Sequence, residues 1–316
     1  MVKTYLGIDI GSVSTKAVVV DSNNTVMAKT YIPTEGDPIG QVKTLLLELK
    51  RQMEGLVCEV MAVGTTGSAR KLVGAMTGAV IVKNEITAHA IGTLSRHPLA
   101  RTIFEIGGQD SKMILLEGGI VVDYAMNTLC AAGTGAFLSS QAQRLGVRVE
   151  DFGRIALRSQ KPTRIAARCT VFAESDMVHK AQSGHKKEDI IAGLCHSVVN
   201  NYLNNVGKGK KIIPPIVFQG GVSKNEGVVQ AFQEITGHPV TVDDDGHLTG
   251  ALGVAILARK SGREEPFSFA IAGIDFNTRH FECAKCANQC EIMGIYRKNH
   301  LLDSWGNRCD QGEMKK

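Results

Sequence analysis

The sequence predicts an α/β protein with two related lobes and a cleft between them. The chain has 316 residues, enough for two domains that each bury a core of their own. A pattern I-G-x-x-x-S/T-K occurs twice, over 10–16 and 106–112, each time inside an apolar strand–turn–strand stretch. After each hairpin, further strands are followed by apolar residues at helical spacing. A strand–helix unit that occurs twice is typical of two related α/β lobes.

The individual elements follow from the spacing of apolar residues and from glycine turns. In the first half we predict a strand hairpin over 5–20, a strand over 24–33, a helix over 38–54, a strand over 58–67 and a helix over 84–97. In the second half we predict a hairpin over 103–116, strands to about 126, helices from about 131 to 207, strands over 214–221 and 238–244, and a helix over 248–262.

The domain boundaries follow from this order. We expect residues 1–100 to form the first lobe, completed by part of 245–275, and residues 101–245 to form the second. Residues 267–316 differ in character, because they have fewer periodic apolar residues and contain four cysteines. They are predicted to form a cysteine-rich C-terminal extension.

The composition argues against several classes of function. Hydrophobic residues make up 43%, charged residues 21%, and the formal net charge is +5, which is ordinary for a globular protein. No dense Lys/Arg stripe is interleaved with aromatic residues, as nucleic-acid binding would favour. No apolar run approaches the roughly 20 residues of a membrane span, and the N-terminus lacks a signal-peptide pattern. We therefore expect a cytoplasmic protein that binds neither nucleic acid nor membrane.

Both repeated turns have the composition of phosphate-binding loops. Backbone N–H groups donate to anions, and glycine permits close approach. Asp9 precedes the first turn, where its buried charge calls for a counterion such as hydrated Mg²⁺. The candidate catalytic residues are Asp9, Glu105, Gln109 and Asp110. The predicted phosphate contacts are Gly11, Ser12, Val13, Ser14, Thr15 and Lys16 in the first turn, and Gly107, Gly108 and Gln109 in the second.

A third glycine motif, FQGGVSKN, follows a predicted strand. Its double glycine, Gly220 and Gly221, suits a flat ring lying against the backbone, with Lys224 close by. No P-loop motif occurs, and GTGAFL from Gly133 lacks the third glycine of a dinucleotide fingerprint. Either hairpin alone is equally explained as a plain tight turn, but the three motifs together favour a nucleotide site.

In this order, GIDIGSVSTK, EIGGQDSK and FQGGVSKN resemble the two phosphate loops and the adenosine motif of the actin, sugar-kinase and Hsp70 superfamily. The resemblance covers roughly residues 1–260. It implies two actin-like, that is ribonuclease H-like, lobes with ATP or ADP and Mg²⁺ bound in the interlobe cleft. The fold alone does not decide whether the protein is a kinase, a chaperone, a filament-forming protein or a molecular switch.

The eight cysteines point to metal ligation or redox chemistry rather than to disulfides. Cys58 and Cys195 lie in apolar stretches and are predicted to be small buried residues. Cys130 and Cys169 each come directly before a predicted helix, whose free N–H groups favour a thiolate. An iron–sulfur cubane needs four thiolates, so two copies related by a two-fold axis would complete one. The alternative is that both are buried residues at helix starts.

The segments NTLCAAGTGAFL and CTVFAESDMV resemble the ATP-dependent activators of 2-hydroxyacyl-CoA dehydratases and the related ATPase subunits of benzoyl-CoA reductase. The resemblance implies that Cys130 and Cys169 ligate one 4Fe–4S cluster shared by a homodimer. It also implies that ATP hydrolysis drives an electron at low potential from a ferredoxin or flavodoxin to an iron–sulfur partner. That partner would be a dehydratase-like enzyme or a double-cubane-cluster reductase.

The C-terminal extension carries a third set of cysteines, Cys283, Cys286, Cys290 and Cys309, as C-x-x-C-x-x-x-C and one distant cysteine. This pattern predicts a second metal site, and both zinc and an iron–sulfur cluster fit the ligand type. The short activators lack the extension, which resembles that of longer members, including reductases of double-cubane-cluster proteins.

Two other functions remain as hypotheses. A small-molecule kinase of the same fold would need a carboxylate base, for which Asp110 or Glu105 is available. That hypothesis leaves Cys130 and Cys169 unexplained. A non-enzymatic, ATP-binding regulator would hold no iron and would turn over slowly.

Overall fold

The structure is a computed structural model that describes residues 1–127 and 130–309. The chain divides into two compact units, one made of Met1–Gly92 and Gly250–Lys316, the other of Thr93–Thr249. The predicted lobe and extension boundaries stay predictions. Within the described ranges, no helix is long and apolar enough to cross a membrane.

The first unit begins with a five-stranded sheet. Its N-terminal elements are β1 (Val2–Ile10), β2 (Ser14–Asp21), β3 (Val26–Pro33), α1 (Pro38–Gln52), β4 (Cys58–Gly67), α2 (Arg70–Thr77), β5 (Ile81–Val82) and α3 (Glu85–Arg96). The strand order is β3-β2-β1-β4-β5. The hairpins β1–β2 and β2–β3 are antiparallel, whereas β4 is parallel to β1 and β5 to β4. Helix α2 and strand β5 were not predicted from the sequence.

The second unit repeats this sheet. Its elements are β6 (Thr102–Ile106), β7 (Ser111–Glu117), β8 (Ile120–Asn127), α4 (Gly135–Arg144), α5 (Val149–Ala156), α6 (Thr170–Gln182), α7 (Lys187–Asn205), β9 (Ile216–Gln219), α8 (Glu226–Thr236) and β10 (Val240–Val242). The order β8-β7-β6-β9-β10 and all strand directions match the first sheet. The predicted fold class, α/β with two related halves, is confirmed.

The core of the second unit is built on stacked aromatic rings. Phe104 of β6 stacks on Phe232 of α8, with ring centroids 4.7 Å apart. Tyr202 of α7 meets both rings edge-on, and its hydroxyl donates to the carbonyl of Lys112 at 2.7 Å. This hydrogen bond satisfies the buried phenol and connects α7 to the sheet.

Helix α9 (Thr249–Lys260) lies against the first sheet with almost no side chain between the two. A Cβ atom added at Gly64 of β4 would overlap the carbonyl group of Val254, and one at Gly7 of β1 would overlap that of Ala251. Gly253 of α9 is equally close to Ala88 of α3. The small residues of the predicted helix therefore permit close packing of backbone on backbone.

The C-terminal extension forms a three-stranded antiparallel sheet, β11 (Phe276–Glu282), β12 (Glu291–Arg297) and β13 (His300–Trp305), which the sequence analysis did not predict. Ile295 is fully buried in the hydrophobic core of the first unit, where Leu302 and Trp305 also pack. One face of the extension is thus part of that core.

Replacing Gly64 by alanine is expected to lower the free energy of unfolding by about 1–3 kcal/mol, because the new methyl group must displace α9. Urea unfolding of the full chain measures the change. Gly273→Ala is the matched control, since a Cβ there meets nothing within 4 Å. An equal effect of both substitutions would contradict the close packing described above.

Candidate functional site

The first glycine turn connects β1 to β2 and is held by backbone and threonine hydrogen bonds. The Gly11 N–H donates to the carbonyl of Ser14 at 3.0 Å, and the Thr34 hydroxyl donates to the carbonyl of Gly11 at 2.8 Å. Ser12 and Val13 at its tip are exposed. The turn is therefore fixed in shape, while its tip is free to meet an anion.

Asp9 lies at the base of this turn and is only 5% exposed. Its cross-strand neighbour Lys16 places Nζ 3.3 Å from Oδ2. A Cβ added at Gly67 would stand 2.7 Å from Oδ1, and one at Gly250 would stand 2.7 Å from Oδ2. The two glycines let backbone approach both oxygens closely, and a carboxylate at the base of such a turn fits a hydrated Mg²⁺, whose ligands are oxygens.

The second turn has the same register with a stronger ion pair. Glu105 of β6 faces Lys112 of β7, at the positions of Asp9 and Lys16 in the first sheet. The Lys112 ammonium, 3% exposed, lies 2.9 Å from Glu105 Oε2 and 2.7 Å from Asp110 Oδ2. Burial lowers the pKa of Lys112, but the charges of Glu105 and Asp110 outweigh it and hold the pKa above its ordinary value. Lys112 is therefore a charged group throughout the physiological range.

Each sheet also has a left-handed glycine at the end of the strand that is parallel to its first strand. Gly67, the last residue of β4, has φ +90° and lies against Ile10 and Asp9, while Gly220, directly after β9, has φ +88° and lies against Ile106 and Glu105. Any other residue would be strained at this φ and would clash with the neighbouring backbone. The duplication thus extends from topology to the residues around each carboxylate.

The third motif, Gly220, Gly221 and Lys224, starts a short 3-10 helix over Gly221–Lys224. Gly221 and Lys224 are exposed. Next to them an open cavity of about 770 Å³ is lined by Ser223, Lys224, Gln230, Val242 and Asp243, among others. Its size and mixed lining are suited to a small ring system.

The second turn is hydrogen-bonded directly to helix α4. The N–H of Gly135 donates to the carbonyl of Gly107 at 2.9 Å, and that of Ala136 donates to Gly108 at 2.8 Å. These are the first residues of α4, so their N–H groups have no partner within the helix. The turn predicted to hold phosphate is therefore bonded to the helix that follows Cys130.

Cys130 is the N-cap residue of a 3-10 turn, Ala131–Gly133. Thr134 is extended, and α4 starts only at Gly135. The side chain of Asn127 makes two hydrogen bonds with the backbone of Cys130. Its Oδ1 accepts from the Cys130 N–H at 3.0 Å, and its Nδ2 donates to the Cys130 carbonyl at 2.9 Å. A helix therefore begins near Ala131, directly after Cys130, as predicted, and its first turn has 3-10 geometry.

Cys169 is the N-cap residue of α6, as predicted. It is half-buried, like Cys130, so neither agrees with the alternative of a fully buried residue at a helix start. The preceding strand-like segment is fixed by Asp176, whose Oδ2 accepts from the N–H of Ala166 at 2.8 Å.

Asn201 of α7 touches both cysteine turns. Its Nδ2 donates to the carbonyl of Ala167 at 2.8 Å and to that of Arg168 at 3.3 Å, directly before Cys169. Its Oδ1 would stand 2.8 Å from a Cβ at Gly133, in the turn after Cys130. Asn201 is 1% exposed. One buried amide is therefore hydrogen-bonded to the segment before Cys169 and packs closely against the turn after Cys130.

The remaining cysteines differ from these two. Cys195 is buried as predicted, and burial raises the pKa of its thiol to about 12, so that it stays protonated. Cys58 is only half-buried, because it is the first residue of β4, and the prediction of full burial was wrong.

In the C-terminal extension, Cys283 and Cys290 are buried, and Cys286 and Cys309 are exposed. Among residues 1–127 and 130–309, no three His, Cys, Asp or Glu side chains form a group that could hold a metal ion. The metal site of the extension therefore stays a prediction.

Sequence reasoning missed Lys112, Asn201, Gly67 and Gly250. The repeated I-G-x-x-x-S/T-K pattern already contained Lys112 as the counterpart of Lys16. Gly67 had a signal in GTTG after a predicted strand, by analogy with FQGG. Nothing in the sequence singles out Asn201, since its role depends on two turns that are distant along the chain.

Comparison with known proteins places this geometry in a family. The family model described as the BadF/BadG/BcrA/BcrD ATPase family matches residues 6–258. The (R)-2-hydroxyglutaryl-CoA dehydratase activating ATPase of Acidaminococcus fermentans is 33% identical over 81% of this chain and 96% of its own length. The 2-hydroxyisocaproyl-CoA dehydratase activator of Clostridioides difficile is 34% identical over 82% of this chain and 96% of its own.

A solved structure agrees with these relatives. The activator of the 2-hydroxyisocaproyl-CoA dehydratase from Clostridium difficile, with bound ADPNP, superposes with a TM-score of 0.73 at 33% identity. The match covers 82% of this chain and 95% of that one. The comparisons confirm the resemblance that the cysteine motifs predict.

Replacing Lys112 by methionine is expected to lower the free energy of unfolding by about 3–5 kcal/mol, because Glu105 remains buried without its counterion. Lys16→Met is the matched substitution in the first sheet, where the ion pair is longer and the lysine is more exposed. Urea unfolding of both variants at pH 7 measures the difference. Equal losses of unfolding free energy in the two variants would show that the ion pair of Lys112 stabilises the protein no more than that of Lys16.

Proposed function

Because the chain belongs to the BadF/BadG/BcrA/BcrD ATPase family, we propose that it is a homodimeric ATP-driven electron-transfer protein. In this proposal, Cys130 and Cys169 of two copies hold one 4Fe–4S cluster, and ATP binding and hydrolysis drive an electron onward to an iron–sulfur partner. The relatives named as dehydratase activators, at 33% and 34% identity, support the class of function.

The nucleotide part of the proposal rests on the two turns and the third glycine motif. Mg²⁺ would be held through water by Asp9, and phosphates would be held by residues 11–16 and 107–109. Gly220, Gly221 and Lys224 would contact adenosine beside the cavity described above. Glu105, Gln109 and Asp110 are the candidates to position the hydrolytic water. Glu105 and Asp110 are both ion-paired with Lys112, whereas the neutral Gln109 is exposed.

The cluster part rests on the chemistry and placement of Cys130 and Cys169. Both thiols are partly exposed at the start of a helical segment, where N–H groups stabilise thiolates and donate hydrogen bonds to sulfur. Two ligands per chain fit a cubane shared by two copies. A 4Fe–4S cluster there would supply one-electron chemistry. Asn127 and Asn201 would fix the two turns that carry its ligands.

A second copy is favoured by exposed apolar side chains near both cysteines. The edge strand β8, which ends three residues before Cys130, exposes the alternating residues Ile120, Val122, Tyr124 and Met126. Helix α6 exposes Val171 at 65% and Phe172 at 63%, directly after Cys169. Contiguous exposed apolar residues mark interaction surfaces. The dimer would cover them and bring the cysteines of the two copies together.

The observation that best supports coupling between nucleotide binding and the cluster is the pair of hydrogen bonds between the second turn and α4. The carbonyls of Gly107 and Gly108 accept from Gly135 and Ala136, two short backbone hydrogen bonds. A change from ATP to ADP at the turn alters its contacts and gives the protein a differential binding energy. Through α4, that energy would reach Cys130 and change the position of the cluster ligands.

The electron acceptor in this proposal is an iron–sulfur enzyme, either dehydratase-like or a double-cubane-cluster reductase. The donor would be a ferredoxin or flavodoxin, in the cytoplasm. The kinase hypothesis remains as the rival for the nucleotide site, and iron analysis separates the two.

The test is iron and acid-labile sulfide content in protein purified without oxygen. About four irons and four sulfides per dimer are expected, with loss of the cluster in Cys130→Ala and in Cys169→Ala. Cys58→Ala is the matched control and should keep the full content. ATP hydrolysis without partner should persist in all three variants, because Asp9 and both turns are unchanged.

Iron-free wild-type protein, even after anaerobic reconstitution with iron and sulfide, would overturn the electron-transfer proposal. The kinase hypothesis would then predict phosphoryl transfer that is insensitive to Cys130→Ala. Full iron content in Cys130→Ala would equally contradict the ligand assignment.

Replacing Gly135 by alanine tests the coupling. The new methyl group would stand 3.0 Å from the carbonyl of Gly107 and 3.1 Å from Val222, so α4 must move away from the turn by a few tenths of an ångström. We expect ATP and iron to bind, but the difference between ATP and ADP in the rate of iron removal by a chelator should shrink several-fold. A coupling free energy of about 1–3 kcal/mol permits a change of this size.

Gly273→Ala again serves as the control, because its Cβ is unobstructed. If Gly135→Ala keeps the full difference between the nucleotides, the coupling does not run through the start of α4.

A further inference from the structure

A row of three polar side chains crosses the first sheet at the end of β1. Asp9 is paired with Lys16 of β2 on one side and with Thr66 of β4 on the other. Because residues that are paired across neighbouring strands have their side chains on the same face of a sheet, all three emerge on one face. Thr66 is therefore the neighbour of Asp9 on the side away from Lys16.

The hydroxyl of Thr66 is buried without a hydrogen-bond partner. The side chain is fully buried, and no atom of the described residues bonds to its Oγ1. The adjacent Thr65 is equally buried, but its hydroxyl donates to the carbonyl of Arg70 at 2.9 Å. An unpaired buried hydroxyl costs free energy, because it has lost its hydrogen bonds to water. Such a group calls for a reason, and a ligand that bonds to it is one.

The elements packed around Asp9 at this point are glycine backbone. A Cβ added at Gly67, the residue after Thr66, would stand 2.7 Å from Asp9 Oδ1. One added at Gly250, near the start of α9, would stand 2.7 Å from Asp9 Oδ2. Neither glycine brings a side chain that could bond to the Thr66 hydroxyl. The hydroxyl therefore lies beside a buried carboxylate, among backbone that approaches closely.

The second sheet fills the equivalent position differently. Gln219 of β9 pairs with Glu105 as Thr66 pairs with Asp9. Its Oε1 accepts from the hydroxyl of Thr93 at 2.9 Å. The side chain beside the second carboxylate is thus hydrogen-bonded within the protein, whereas the hydroxyl beside the first is not. This difference within one duplicated arrangement favours a ligand at the first carboxylate.

We propose that Thr66 is a positioning residue for the hydrated Mg²⁺ that accompanies the nucleotide, and that its hydroxyl accepts a hydrogen bond from a water of the Mg²⁺ shell. The inference rests on the Mg²⁺ site proposed at Asp9 and is independent of the proposed cluster. Mg²⁺ gives up its water reluctantly, so a protein binds it largely through acceptors for those waters. Two adjacent acceptors, Asp9 and Thr66, orient the hydrated ion better than one.

Three substitutions separate this role from a structural one. Thr66→Val keeps the shape of the side chain and removes the unpaired hydroxyl, so the urea midpoint of the nucleotide-free protein should rise. Thr66→Ser keeps the hydroxyl and should lower the midpoint, because a buried methyl group is lost. Thr65→Val is the matched control, and it should also lower the midpoint, since the carbonyl of Arg70 loses its donor.

The role itself is measured at equilibrium, as the calorimetric affinity for ADP over a series of free Mg²⁺ concentrations. Thr66→Val should need about tenfold more Mg²⁺ to reach the wild-type affinity, because a hydrogen bond to a water polarised by the ion is lost. Thr66→Ser and Thr65→Val should keep the wild-type dependence on Mg²⁺. The measurement needs neither turnover nor an electron acceptor, so failure of the proposed electron transfer would leave this result unchanged.

Two results would overturn the inference alone. They are an unchanged dependence on Mg²⁺ in Thr66→Val, and a lowered urea midpoint in that variant, which would show that the hydroxyl has a structural partner. A wild-type affinity for ADP that does not depend on Mg²⁺ would overturn both the inference and the Mg²⁺ site proposed at Asp9.

Discussion

A buried carboxylate at the end of the first strand of each sheet is the constraint on which both units depend. Asp9 and Glu105 are 5% and 4% exposed, and a buried charge without compensation would cost several kcal/mol. Each is compensated by a lysine across the hairpin, and each is approached by a glycine with positive φ. The hairpin register puts each lysine opposite its carboxylate, and the parallel strand ends in the glycine that approaches it, so these features occur together in both sheets.

The two carboxylates nevertheless differ in a way that suits different tasks. Asp9 has a lysine at 3.3 Å, and glycine backbone approaches both of its oxygens. Glu105 shares the buried Lys112 with Asp110, at 2.9 and 2.7 Å. Because a closed ion triad is rigid, the second turn is the better fixed of the two. It is also the turn that is hydrogen-bonded to α4, the α-helix that follows Cys130.

Helix α7 provides the second connection within this unit. Its Tyr202 donates to the carbonyl of Lys112, and the adjacent Asn201 bonds to the turn before Cys169. Tyr202 thus contacts the strand that carries Lys112, the partner of Glu105, and Asn201 contacts the segment that leads to Cys169. Helix α7 is thus hydrogen-bonded both to β7 at Lys112 and to the segment directly before Cys169, a physical basis on which the second turn and that segment can change position together.

The sequence by itself determined the α/β class, the duplication, the three glycine motifs and the cysteines that matter, because these depend on local composition and spacing. It predicted Cys130 and Cys169 as residues directly before a helix, but not the 3-10 geometry after Cys130, since glycine-rich segments choose between 3-10 and α geometry by tertiary contacts. Only the tertiary structure decided how deeply Lys112 is buried against Glu105 and Asp110, and the role of Asn201. Burial depends on what packs over the strand, and the hydrogen bonds of Asn201 join residues far apart along the chain, so local periodicity carries no signal for either.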